Sequence, residues 1–207
     1  MTGRIVDLAT WRRAEQFRFF RTYAKPHYAV TSRLDVTHLM ARKSDGISPY
    51  RASLYAIGAG INSVPELRTR FKGDTVTEYD RVDLSMTVPL ANGDFRYAYV
   101  PWQVDFESFE RTAQEIITST ESGGLNANTG QRDDLAYLSC LPWLDFTSID
   151  NALPGPDDCI PRVSWGKIVE EGGGHRMAMA IEVHHALVDG RHVGAYFDAV
   201  QSALEAI

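Results

Sequence analysis

Adjacent histidines, His184 and His185, end an apolar run and precede Ala186-Leu187-Val188-Asp189-Gly190. A neutral imidazole, with an ordinary pKa of about 6.5, is suited to taking a proton from a hydroxyl near pH 7. Successive side chains on a strand point to opposite faces, so one histidine can face a given pocket while the other is expected to be structural. A histidine satisfied within the core is the alternative to a catalytic one, and the pair alone leaves both readings open. Asp189 could orient a histidine, cap the helix that follows, or pair with a distant arginine. An acidic side chain held inside a turn is stable only when paired and hydrogen-bonded.

Periodicity indicates the elements that must position these groups. Met177, Met179, Ile181 and Val183 alternate with Ala178, Ala180 and Glu182, which predicts a strand over 177–183 that delivers the histidines, entered through the turn Gly172-Gly173-Gly174. From Gly190 an amphipathic helix runs through Val193, Phe197, Val200 and Leu204. Other strands are expected over 27–36, 75–79, 85–88, 95–100, 135–140 and 163–169, with Asn92-Gly93 supplying the positive φ of a tight turn. Thr10 is expected to cap a first helix that carries Trp11, Phe17 and Phe20 and stops near Lys25-Pro26. A second helix opens at Pro49 and ends near Ser63-Val64-Pro65, its Gly58, Ala59 and Gly60 allowing close approach of another element; a third spans 106–120. Residues 121–134, rich in Gly, Asn, Thr and Ser, read as a surface loop without a phosphate-cradling motif. Strands and helices that do not alternate regularly predict one mixed or antiparallel sheet carrying helices on a face.

The 207 residues are 44% hydrophobic and 23% charged, enough for one sizeable core, so a single domain over 1–207 is expected. A net charge of -6 with scattered basic residues argues against nucleic acid and anionic membranes as partners. No apolar run approaches the roughly 20 residues of a membrane span, and residues 1–9 lack the apolar stretch of a secretory signal; a cytoplasmic location is expected. Cys140 and Cys159 have neither metal-ligand spacing nor the density of a disulfide scaffold, so both are expected as reduced thiols and no metal is expected.

His184-His185-Ala186-Leu187-Val188-Asp189-Gly190 resembles the His-His-x-x-x-Asp-Gly signature of the chloramphenicol acetyltransferases. The resemblance extends along the chain in the family's order. Trp11-Arg12-Arg13-Ala14-Glu15-Gln16-Phe17 with Phe19-Phe20, Thr31 through Thr37, Pro65-Glu66-Leu67-Arg68, and Ser139-Cys140-Leu141-Pro142-Trp143 with Phe146 are each similar to a family block. It implies an α/β two-layer sandwich with a mixed β-sheet covered by helices, assembled as a homotrimer whose active sites lie between subunits.

The same resemblance implies roles for particular residues. His185 would be the general base on an acceptor hydroxyl that attacks the thioester of acetyl-CoA directly, without an acetyl-enzyme. Ser139 would donate to the developing oxyanion, although an isolated serine at a strand end more often satisfies nearby backbone. Asp189 would pair with Arg13 and hold the site together without completing a triad, and Ser164 stands where the family carries a threonine that holds a water. Phe19, Phe20, Tyr28 and Thr87 match acceptor-pocket positions, Phe20 replacing what is commonly a tyrosine. Tyr50 and Lys167 match coenzyme A positions, the latter equally readable as a solvated lysine, while Ile168 stands where an aromatic often assists coenzyme binding. Three functions follow: acetylation of chloramphenicol, the same chemistry on another hydroxylated small molecule, and a non-catalytic binding module or the core of a larger acyltransferase assembly resembling dihydrolipoyl acyltransferases.

Overall fold

The computed structural model describes residues 2–128 and 130–207. Along the chain run β1 (Gly3–Ile5), α1 (Ala14–Phe20), β2 (His27–Asp35), α2 (Thr37–Arg42), α3 (Pro49–Ser63), β3 (Thr69–Lys72), β4 (Thr75–Tyr79), β5 (Asp83–Pro89), β6 (Phe95–Val100), α4 (Phe106–Thr120), β7 (Leu135–Cys140), β8 (Arg162–Glu171), β9 (Gly174–His184) and α5 (Gly190–Ala206), with short 3-10 turns at Lys43–Asp45 and Pro65–Arg68. Six strands form one sheet in the order β2-β9-β8-β7-β5-β6. The β7 strand runs parallel to β5 and β8, and the other neighbours are antiparallel. The sheet is therefore mixed, in an α/β sandwich.

Strand alternation gives this sheet two unlike faces. Leu84, Met86, Val88, Ala98, Leu138, Val163, Trp165, Met177, Met179, Ile181 and Val183 join the core together with Ala52, Ile57 and Ile61 of α3, Phe109 and Ala113 of α4, and Val193, Tyr196, Val200 and Leu204 of α5. The alternate positions carry hydroxyls. Ser85 pairs with Tyr99 and Tyr137, Thr87 with Tyr97, and Ser139 with Ser164. One face thus builds the core, and the opposite one carries polar groups in rows.

Small residues set the distance between layers. A Cβ on Gly60 would lie 2.5 Å from Val200 Cγ2, and one on Gly58 would lie 2.0 Å from Trp102 Cδ1. Asp105 caps α4 by accepting from the Ser108 amide, and Ser48 caps α3 by accepting from that of Arg51. Gly172 and Gly173, both with positive φ, close the β8–β9 hairpin as a two-residue turn between the paired Glu171 and Gly174.

Several expectations need correction. Thr10 caps no helix: its hydroxyl and the Ala9 amide bond the Asp7 carboxylate, and α1 starts only at Ala14. The helix also ends at Phe20 rather than near Pro26, where the Thr22 hydroxyl caps the Phe19 carbonyl. At Asn92-Gly93 only Gly93 has positive φ, within a five-residue connection closed by the Leu90 amide on Asp94 O, so the hairpin is wider than the pair suggested.

A separate three-stranded antiparallel sheet, β1-β4-β3, was foreseen only at β4. Its outer strands have three and four residues, too short to show a period. Arg70 fastens it to the main sheet. Only 1% exposed, its guanidinium donates to the carbonyls of Leu67, Thr69, Asp133 and Leu135. No helix among the described residues is long and apolar enough to cross a membrane.

Because Trp102 fills the space over Gly58, Gly58→Ala is expected to lower the unfolding free energy by about 1–3 kcal/mol through overpacking. A urea titration checks this as a lower midpoint at unchanged slope.

Candidate active site

The turn that follows β9 carries His185. Its backbone amide still bonds Pro26 O, after which the amides of Leu187 and Val188 turn back onto His184 O at 3.0 and 3.1 Å. The His185 ring is packed by two aromatics: Phe20 stacks on it at 3.8 Å and 11°, and Tyr28 tilts against it at 4.8 Å. Nδ1 lies 3.1 Å from the Val188 carbonyl. A carbonyl can only accept, so this nitrogen carries the proton and Nε2 keeps a lone pair, the form a general base requires. Burial pushes the Tyr28 hydroxyl up to about 12, leaving it protonated beside the ring.

His184 is built differently. Its Nδ1 accepts from the Ala186 amide at 3.1 Å and its Nε2 donates to Pro156 O at 2.9 Å, while the ring stands edge-on to Phe71 and His27. Burial and the neighbouring His27 lower its pKa to about 4, so it is neutral with both nitrogens engaged.

Arg13 clamps the same turn. Its Nε donates to Ala186 O at 2.9 Å, Nη2 to His185 O at 2.7 Å and Nη1 to Asp189 Oδ2 at 2.9 Å. Asp189 is also the N-cap of α5, accepting from the Arg191 amide, and His192 Nδ1 in turn accepts from the Asp189 amide at 3.1 Å. Two of the open readings of Asp189 thus hold together, as cap and as arginine partner. Burial alone would raise its carboxyl, but the Arg13 hydrogen bond and the charges of His192 and Arg13 outweigh it and hold it below the usual carboxylate range.

Ser139 lies elsewhere. It faces Ser164, which faces Ala180 on β9. From 180 to 185 the chain advances about 16 Å, and two strand spacings add about 10 Å sideways, so Ser139 and His185 of one chain stand about 19 Å apart. Two cavities meet at Ser139 and Thr87. One, of about 860 Å³, is a chamber on the hydroxyl-bearing face that includes Ser164, Tyr97 and Tyr137. The Ser164 hydroxyl is buried there without a hydrogen-bond partner among the described residues. The other, of about 910 Å³, joins Ser139 to Tyr50, Trp165 and Lys167.

The site residues expected from sequence therefore divide into two groups. Phe20, Tyr28, Arg13 and Asp189 gather around His185, with Phe19 touching Phe20 at 5.2 Å and itself 56% exposed. Ser139, Ser164, Thr87, Tyr50 and Lys167 gather around the two cavities. Lys167 sits on a β-bulge of β8 where its amide bonds Leu144 O, and a Cβ on Gly166 would strike that same carbonyl at 2.4 Å. Tyr50 stacks on Trp165 at 5.8 Å, and burial pushes its hydroxyl strongly up. The second cavity is of ligand size and combines the aromatic rings of Tyr50, Phe95, Trp143 and Trp165 with one cation, Lys167, and two carboxylates, Asp94 and Glu121.

Sequence reasoning missed further lining residues. Tyr97 and Tyr137 lie on strands that periodicity had located and Arg162 one residue ahead of another, but only pairing shows that they share a face with Ser139. Asn128, from the 121–134 loop, donates to the Tyr137 hydroxyl at 2.8 Å. Residues 151–158 form one wall and carry no periodic signal; the proline and glycine at 154–156 mark only irregular chain.

A family model described as chloramphenicol acetyltransferase matches residues 1–201. A chloramphenicol acetyltransferase of Campylobacter coli is 28% identical over 203 residues, covering 96% of this chain and 97% of its own. Chloramphenicol acetyltransferase 3 of Escherichia coli is 27% identical over 199 residues, covering 94% and 93%. Among solved structures, one titled chloramphenicol acetyltransferase superposes with a TM-score of 0.92 at 29% identity, covering 98% of this chain and all of that one. The cubic core of a pyruvate dehydrogenase complex shares the fold at a TM-score of 0.66 and 14% identity, covering 93% and 86%.

The His184 ring binds its proton near pH 6.5 in the unfolded chain and only near about 4 in the fold. Its contribution to stability is complete above pH 6.5 and falls as the pH drops from 6.5 towards 4, because the unfolded chain then holds the extra proton. Urea unfolding across that range is expected to show this loss in the native protein and a flatter profile in His184→Gln. The Asp189 carboxylate acts lower, and its loss is expected as the pH falls below about 4.

Proposed function

This chain belongs to the chloramphenicol acetyltransferase family and is an acyltransferase, and from that premise we propose that it moves the acetyl group of acetyl-CoA to a hydroxyl of chloramphenicol with His185 as the general base. The observation that carries the reading is the state of the His185 ring. Its Nδ1 proton is committed to Val188 O and its Nε2 lone pair is free. In the proposed reaction Nε2 takes the acceptor's hydroxyl proton as the oxygen bonds the acetyl carbon, and returns that proton to the departing coenzyme sulfur. Acetyl-CoA supplies the thioester acetyl group. The Ser139 hydroxyl donates to the oxygen on which charge develops, and Ser164, its paired neighbour with an unengaged hydroxyl, holds a water beside it.

Coenzyme A occupies the cavity of about 910 Å³, its adenine near Tyr50 and an anionic group near Lys167, so its thioester would reach Ser139 at the junction of the cavities. The acceptor occupies the chamber beside Thr87. In one chain His185 stands about 19 Å from Ser139, which supports a site made between subunits. A homotrimer closes such a head-to-tail contact, with His185, Phe19, Phe20 and Tyr28 of one subunit brought to the chamber of the next. A cytoplasmic location fits the chemistry, since acetyl-CoA is a metabolite of the cell interior. A different hydroxylated acceptor is the second reading, favoured by the three polar groups Tyr97, Tyr137 and Asn128 on the chamber wall.

Release of coenzyme A thiol from acetyl-CoA, with and without chloramphenicol, tests the reading. Chloramphenicol-dependent release is expected, and His185→Ala should reduce it by about 100-fold or more while the protein stays folded; an unchanged rate would remove His185 from the role of base. Ser139→Ala is expected to cost about 100- to 1000-fold in kcat. Mixing inactive His185→Ala and Ser139→Ala subunits under exchange should restore part of the activity, whereas no recovery among exchanged subunits would place each site within one chain.

A further inference from the structure

The acceptor chamber is bounded on one side by residues 151–158, which belong to no helix or strand. This wall is fastened at three points from the sheet. At one end Glu182, 3% exposed, accepts from the amide and side chain of Asn151 at 3.1 and 2.8 Å. At the other, Arg162 holds the Asp158 carboxylate at 2.6 Å and the His27 ring meets the Asp158 carbonyl. Between them stands Pro156, whose carbonyl accepts from His184 Nε2 at 2.9 Å. The opposite nitrogen of that ring accepts from the Ala186 amide, next to the residue proposed as base.

We propose that His184 is a positioning residue that holds the 151–158 wall of its own chain's chamber, and so sets the affinity of that chamber for the acceptor, while its other nitrogen holds the turn that carries the same chain's His185. The inference rests on the reading that this chamber receives the acceptor. Proline lacks an N–H and the wall has no ladder bonds, so between Asn151 and Asp158 the Pro156 carbonyl is its hydrogen-bonded anchor to the sheet, beside a longer ion pair of Asp157 with Arg21 at 3.9 Å. The ring is 2% exposed and packed edge-on between Phe71 and His27, so it is fixed in orientation. An apolar residue of equal size would fill the space and leave both the Pro156 carbonyl and the Ala186 amide unpaired.

Two substitutions separate the two bonds. His184→Asn keeps an acceptor near the position of Nδ1 but loses the donor that reaches Pro156; His184→Gln keeps a donor at that reach but loses the acceptor for Ala186. With chloramphenicol and acetyl-CoA, His184→Asn is expected to raise the acceptor KM about tenfold, with the acetyl-CoA KM and kcat within about twofold of the native values. His184→Gln is expected to lower kcat about tenfold at a near-native acceptor KM. Amide hydrogen exchange, measured without substrates, should be faster at 151–158 in His184→Asn and unchanged around Tyr50 and Ser139. Equal rises in both KM values, or unchanged exchange at 151–158 in folded His184→Asn, would overturn the proposal. Faster exchange in a protein whose native form ignores chloramphenicol would support the positioning role and reject that acceptor. Should His184→Asn not fold, the Nε2–H resonance of His184 in the native protein decides: it should be protected from exchange and shift with acceptor but not with coenzyme A, and a rapidly exchanging proton would refute the bond.

Discussion

Three nitrogens of the Arg13 guanidinium meet three acceptors on one turn, the carbonyls of His185 and Ala186 and the Asp189 carboxylate. Residues 185–189 leave a buried strand and enter a helix, so their peptide groups have neither ladder nor helical partners on that side. A planar fork of five donors on three nitrogens serves separated carbonyls and a carboxylate from fixed positions, where an ammonium offers three donors from a single nitrogen. With Asp189 simultaneously capping α5, the clamp joins the start of the chain to its end and fixes where the His185 backbone sits. The charge pair is only part-buried, its side chains 11% and 32% exposed, so its weight lies in geometry more than in Coulomb energy.

Around that clamp the two histidines are sorted by their hydrogen-bond partners. Both stand beside backbone carbonyls, but His184 also receives an amide proton on its other nitrogen, and His185 does not share that arrangement. Identical side chains one residue apart thus become a neutral strut and a ring with a free lone pair. The sheet is divided in the same manner: apolar residues of its strands turn to the helices, while Ser85, Thr87, Ser139 and Ser164 turn to the opposite side. A face so rich in hydroxyls is suited to directional contacts with a ligand, and the two cavities open on it and at its edge.

Much of this was legible in advance where the residues repeat. The limits of α3, α4 and β7 match their expected spans, because a proline or aspartate start and an apolar period fix them locally. The boundaries that failed had near and distant causes. Thr10 is a good cap by type, yet Asp7 competes for its hydroxyl and α1 begins only beyond Arg13, whose side chain reaches across to Asp189. The β1 and β3 strands exist through their pairing with β4, and the buried Arg70 finds its carbonyl partners up to 65 residues away.

The sequence by itself determined the order of the longer, periodic elements, the hydroxyl and imidazole groups available for chemistry, and the resemblance that tied them to a family. Local rules suffice for these, since capping, periodicity and spaced motifs act within a few residues. Tertiary structure alone decided which groups meet. It placed Ser139 two strands away from β9 and about 19 Å from His185 of the same chain, set the protonated nitrogen on each histidine, and brought the irregular 151–158 segment against the chamber. Those outcomes depend on strand register and on carbonyls donated by distant chain, and no local pattern encodes either.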